Sequence, residues 1–118
     1  MTEHNTPAGA DFTAIPNIGS LIAAITPDSI VSRSVYQGPN LRIILFGFAA
    51  GQELSEHTSS KEAVLHFLSG AATVTLGKAA EGGETVDAQP GTLIRMRPHL
   101  PHTVVAQTDT LMLLSMIG

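Results

Sequence analysis

The chain has 118 residues, the usual size of one domain, and leaves no room for a second. Its formal net charge of -4, with no cluster of Lys or Arg, argues against a nucleic-acid partner, and the absence of cysteine excludes disulfides and thiolate metal sites. Charged residues make up only 14% of the chain, against about 25% in typical soluble domains. The low charge predicts that a homo-oligomer, by default a homodimer, covers part of the surface.

From Met1 to Ala10 there is Glu3 and no Lys or Arg, which is not the basic start of a secretory signal, so a cytoplasmic location is expected. The stretch up to about Ala14, which includes His4, reads as a mobile tail. Between Pro16 and Pro27, the run Ile18 to Ile25 predicts one or two helical turns, started by Ser20 and stopped before Pro27. That run is too short to span a bilayer, the C-terminal run Leu111 to Ile117 is strand-sized, and no membrane partner is expected. Residues 1–28 are therefore read as a tail with a short helical turn, and 29–118 as the folded barrel.

From Ser29 onward the pattern changes to short apolar runs rich in β-branched residues and separated by Gly, Pro, Asn and Asp. The runs are Ile30 to Tyr36, Leu41 to Ala49, Ala63 to Leu68, Ala71 to Leu76, Glu84 to Ala88, Thr92 to Arg97, Thr103 to Gln107 and Thr110 to Ile117. Gly38-Pro39-Asn40, Ser69-Gly70, Gly77 to Gly83 and Gln89-Pro90-Gly91 supply the turns between them. This spacing predicts an all-β sandwich or barrel. The run Leu41 to Phe48 is apolar on both faces, which makes it the candidate dimer interface.

Five histidines are present. A lone histidine in a β protein is more often a satisfied core or surface residue than a ligand, so context has to separate them. The segment from Gly51 to Gly70 places His57 after Gly51-Gln52-Glu53-Leu54-Ser55-Glu56. The segment from Gly91 to His102 ends in Arg97-Pro98-His99-Leu100-Pro101-His102. The first resembles cupin motif one, G-x5-H-x-H-x3-4-E-x6-G, with both end glycines and the first histidine in place. Ser59 stands at the second histidine position and Ala63 at the glutamate position. The second segment resembles cupin motif two, G-x5-P-x-G-x2-H, at its first glycine and last histidine. Here His99 stands where glycine is usual and Arg97 where proline is common. From about Ser29 to its end the chain is similar to small single-domain cupins of the cupin 2, conserved barrel type.

The resemblance implies an all-β double-stranded β-helix, a jelly-roll-like barrel. It also implies metal ligands on inward strand positions, with open coordination sites for substrate or dioxygen. Carried onto this chain, it makes His57 and His102 the candidate metal ligands, with Ser59 and Glu62 as candidate helpers and Fe, Mn, Ni or Zn as candidate ions. If position 63 faces inward, so do Leu65 and Phe67, and His66 faces out. Glu56 and Glu62 are the local carboxylates able to fix an imidazole tautomer. Arg95, if inward, suits a carboxylate ligand.

Two functions follow. One is a divalent-metal-dependent oxygenase or isomerase acting on a small organic molecule in the barrel cavity. The other is a non-catalytic ligand-binding or sensory cupin with a degenerate metal site.

Overall fold

The computed structural model describes residues 11–118. The expected tail before Asp11, with His4, lies outside the described residues. Nine strands follow a 3-10 turn at Ile18–Leu21, and a second 3-10 turn, Ala79–Glu81, links the fifth strand to the sixth. They are β1 (Ile30–Gln37), β2 (Leu41–Phe48), β3 (Glu53–His57), β4 (Glu62–Ser69), β5 (Ala72–Leu76), β6 (Glu84–Ala88), β7 (Leu93–Met96), β8 (His102–Ala106) and β9 (Thr110–Ile117). They form two sheets, β1-β2-β9-β4-β7 and β3-β8-β5-β6, with every pairing antiparallel. The fold is the expected all-β, jelly-roll-like barrel.

The core forms because alternate residues of facing strands point into one space. Ala63, Leu65 and Phe67 of β4, Met112 of β9 and Phe48 of β2 meet Val74 of β5 and Val104 of β8, all of them buried. On β4 the opposite parity, including His66, faces outward and is half-buried.

The outer face of the five-stranded sheet explains why β2 is apolar on both sides. Leu45 is completely buried there, beneath Leu21 and Ile22 of the N-terminal segment, with Ile15, Ile18 and Ile25 around them. Gly47 lets this segment approach, since a Cβ at that position would stand 3.1 Å from Ile25 and 3.3 Å from Ile22. Arg33 Nη1 donates to the Leu21 carbonyl at 2.9 Å and fastens the segment to β1.

The expected helical turns therefore shrink to one 3-10 turn. After Leu21 the chain is extended, with Ile22 at φ -122° and ψ 95°, because Ile22 and Ile25 must both reach the sheet. The apolar outer face of β2, read from sequence as a dimer interface, is covered at Leu45 by the chain's own N-terminal segment.

Two short connections bring the ends of the sheets together. Residues 58–61 lead from the end of β3 to the start of β4, and residues 97–101 from the end of β7 to the start of β8. The His99 N–H donates to the Ser59 carbonyl at 2.7 Å and ties the two connections to each other. This end of the barrel, its mouth, carries both motif histidines.

Candidate functional site at the barrel mouth

His102 opens β8 with the parity of Val104 and Ala106, so it faces the interior and is 94% buried, its exposure being 6%. His57 reaches the same side through an irregularity in β3. Leu54 opposes Val104, and His57 opposes His102, so β3 carries one residue more than its partner between these pairs. Regular alternation from inward Leu54 would have put Glu56 opposite His102 and turned His57 outward. The bulge exchanges them. The Glu56 carboxylate instead accepts from the Ala79 N–H at 3.1 Å, in the loop between β5 and β6.

The two imidazoles lie with ring centroids 4.1 Å apart and planes inclined at 57°. Each ring is held by the main chain, with His57 Nδ1 2.6 Å from the Ser55 carbonyl and His102 Nδ1 2.9 Å from the Leu100 carbonyl. A carbonyl oxygen only accepts, so Nδ1 carries the proton in each ring, and the neutral form leaves the Nε2 lone pair available. Ring orientation by a partner at the other nitrogen is how ligating or base-acting histidines are usually prepared. Neither Glu56 nor Glu62 does this work, contrary to the sequence reading. The carbonyl two residues before each histidine does.

Burial pushes the His102 pKa below its usual value of 6.5. The Leu100 carbonyl acts in the opposite direction, and the neighbouring His57 imidazole lowers the pKa further.

The other sequence candidates are placed differently. Ser59 is half-buried at the mouth, where its hydroxyl oxygen accepts from the Lys61 N–H at 3.1 Å and lies 4.0 Å from Met116 Sδ. Glu62 has the outward parity of β4 and pairs with Arg95 Nε across to β7. Arg95 is thereby an outer-face residue. His99 occupies the left-handed region at φ 65°, which explains why the motif usually has glycine at this place. Ala63 is buried on the inner face between Met96 of β7 and Met116 of β9, its partners on the two sides.

The structure thus brings together His57 and His102, keeps Ser59 at the same mouth, and leaves Glu62 on the opposite face. Sequence reasoning missed the Ser55 and Leu100 carbonyls. Their one signal is their place two residues before each histidine.

A cupin domain family model matches residues 44–118. A conserved protein of unknown function from Streptococcus pyogenes superposes with a TM-score of 0.77 at 27% identity, over 99% of this chain and 95% of that one. A cupin superfamily protein from Desulfitobacterium hafniense gives 0.76 at 23% identity, over 85% and 86%. A variant of salicylate 1,2-dioxygenase from Pseudoaminobacter salicylatoxidans gives 0.65 at 19%, over 75% of this chain and 26% of that one. No curated relative matches the sequence. With two antiparallel sheets, a family match over more than half its length and these neighbours, the chain belongs to the cupin domain family.

Proposed function

We propose that this cupin is a small-molecule-binding module whose polar anchor is the His57–His102 pair at the barrel mouth. The observation that carries this reading is the pair itself. Two imidazoles are fixed through Nδ1 with both Nε2 atoms available, one ring buried and the other exposed to solvent. Such a pair can accept hydrogen bonds from a ligand N–H or O–H, the kind of placed polar group that orients a small molecule in its site.

Cupins often bind metal ions, and a divalent ion needs more donors than this mouth provides. Among the described residues no group of three or more His, Cys, Asp or Glu side chains could hold a metal. Two imidazoles fall short of the three protein ligands that a catalytic zinc site uses. Ala63 and Ser59 occupy the positions where the family pattern has its remaining ligands. The residues present do not fit a resident Fe, Mn, Ni or Zn ion.

The orientation of the rings favours a second reading, a metal-dependent oxygenase or isomerase in which the substrate completes the donor set. The two separate on metal retention, which only the second requires.

The binding reading is tested by screening small organic fragments against the protein by NMR. Fragments are expected to move the imidazole signals of His57 and His102, and His57→Ala and His102→Ala are each expected to abolish the response. Fragment binding that survives both substitutions overturns it. A homodimer in the cytoplasm belongs to the same reading. No helix among the described residues is long and apolar enough to cross a membrane.

A further inference from the structure

A second feature of the mouth concerns what the ligand carries. Position 42 on β2 has the parity of Phe46 and Phe48, which face the core, and Arg42 is the cross-strand partner of Met116. Arg42 therefore lies at the rim on the inner side of the sheet. A pocket of about 330 Å³ opens there, lined by Arg42, Lys61, Ser59, Ser60 and Met116 among others, with no Asp or Glu in its wall.

In a chain of net charge -4, two of the six Lys and Arg residues line this one pocket. Arg33 is committed to the Leu21 carbonyl, Arg95 to Glu62, Lys78 to Glu81 and Arg97 to the Pro98 carbonyl. Lys61 Nζ donates to the Gly118 main-chain oxygen at 2.6 Å. Among the described residues Arg42 has neither an ion pair nor a hydrogen-bonded acceptor for its guanidinium. A guanidinium at the rim of a concave site, beside two hydroxyls and a second cation, is suited to a planar or tetrahedral oxyanion.

We propose that this pocket is an oxyanion subsite, in which Arg42 is a binding residue for the acid group of a small organic acid. Lys61 supplies supporting positive charge, and Ser59 and Ser60 supply hydroxyls. The inference rests on the reading of the mouth as a small-molecule site and adds the chemical class of its ligand. Ser59 is two residues beyond His57, and its carbonyl accepts from the N–H of His99, three residues before His102, so the subsite belongs to the same end of the barrel as the imidazole pair.

The test is a set of NMR titrations of the full chain with benzoate, phenyl phosphate and the neutral isostere benzamide. Signals of the Arg42 side chain and of the Ser59, Ser60 and Lys61 amides report the subsite, and the imidazole signals report the histidine pair. Benzoate or phenyl phosphate is expected to saturate the subsite signals, with benzamide at least about tenfold weaker. The two acids distinguish a carboxylate from a phosphoryl source. Arg42→Gln is expected to weaken acid binding about tenfold, and Arg42→Lys to restore part of it, without altering the amide spectrum elsewhere.

Equal binding of benzamide and benzoate overturns the subsite, as does acid binding unchanged in Arg42→Gln. If fragments perturb only the imidazoles and ignore Arg42, the subsite is wrong and the small-molecule reading stands. If neither set of signals responds, both fail.

Discussion

His102 is neutral at pH 7, because burial holds its pKa below 6.5. Its unfolded counterpart takes up a proton first as the pH falls, so the unfolded chain binds more protons between 6.5 and the folded pKa. The stability this group confers is complete above 6.5, declines as pH drops through that value, and is fully lost below the folded pKa. Chemical denaturation from pH 8 to pH 5 is expected to show such a decline, and His102→Gln to flatten it. An unchanged slope in that variant would place the titration elsewhere.

His99 gives a second prediction at this scale. A non-glycine side chain at φ 65° costs roughly 1–2 kcal/mol of backbone strain, while glycine gives back about 0.5–1 kcal/mol through the unfolded chain. His99→Gly should therefore raise the unfolding free energy by up to about 1.5 kcal/mol, whereas β-branched His99→Val should lower it. Equilibrium denaturation of the two variants decides the sign. Gly70 is the reverse case. At φ 83° an added Cβ would lie 2.7 Å from the Thr110 Cα and closer still to the Asp109 carbonyl. Gly70→Ala is expected to cost more than about 2 kcal/mol, by the same measurement.

At the scale of elements, the N-terminal segment works as a cover for the outer face of β1, β2 and β9. Leu21→Ala and Leu45→Ala remove the two sides of one buried contact, and each should cost about 2–4 kcal/mol in denaturant unfolding. Losses well under 1 kcal/mol would mean that the segment rests on the sheet without stabilising it. Most strands were legible because their residues alternate between a core and a second covered or solvent-facing side. The run Thr110–Ile117 coincides with β9.

The strand that carries His57 was not legible. Glu53-Leu54-Ser55-Glu56-His57 has one apolar residue among polar ones, because β3 is the edge of its sheet and exposed along most of its length. The extra residue that turns His57 inward also leaves no compositional mark. Both motif histidines were visible through family resemblance, and their 4.1 Å approach became visible only through strand register. The Ile18–Ile25 run shows the opposite failure. Helical spacing of apolar residues was present, and contact with the sheet overrode it in favour of an extended path.

At the scale of the whole molecule, low charge content and partial self-covering leave Tyr36, Leu41 and Ile117 among the exposed large apolar residues. Leu41 and Ile117 are cross-strand partners on one sheet. A homodimer is the expected assembly, and light scattering coupled to size exclusion at dilute concentration checks it. A stable monomer would leave the low charge content unexplained.

The functional reading turns on what two imidazoles can hold without a third ligand from the protein. The direct measurement is metal content after incubation with Fe(II), Mn(II), Ni(II) and Zn(II) in turn, followed by exhaustive gel filtration. The binding-module account predicts well under one ion retained per chain for each metal. One ion per chain, lost in both His57→Ala and His102→Ala, would contradict it and establish the barrel mouth as a metal centre.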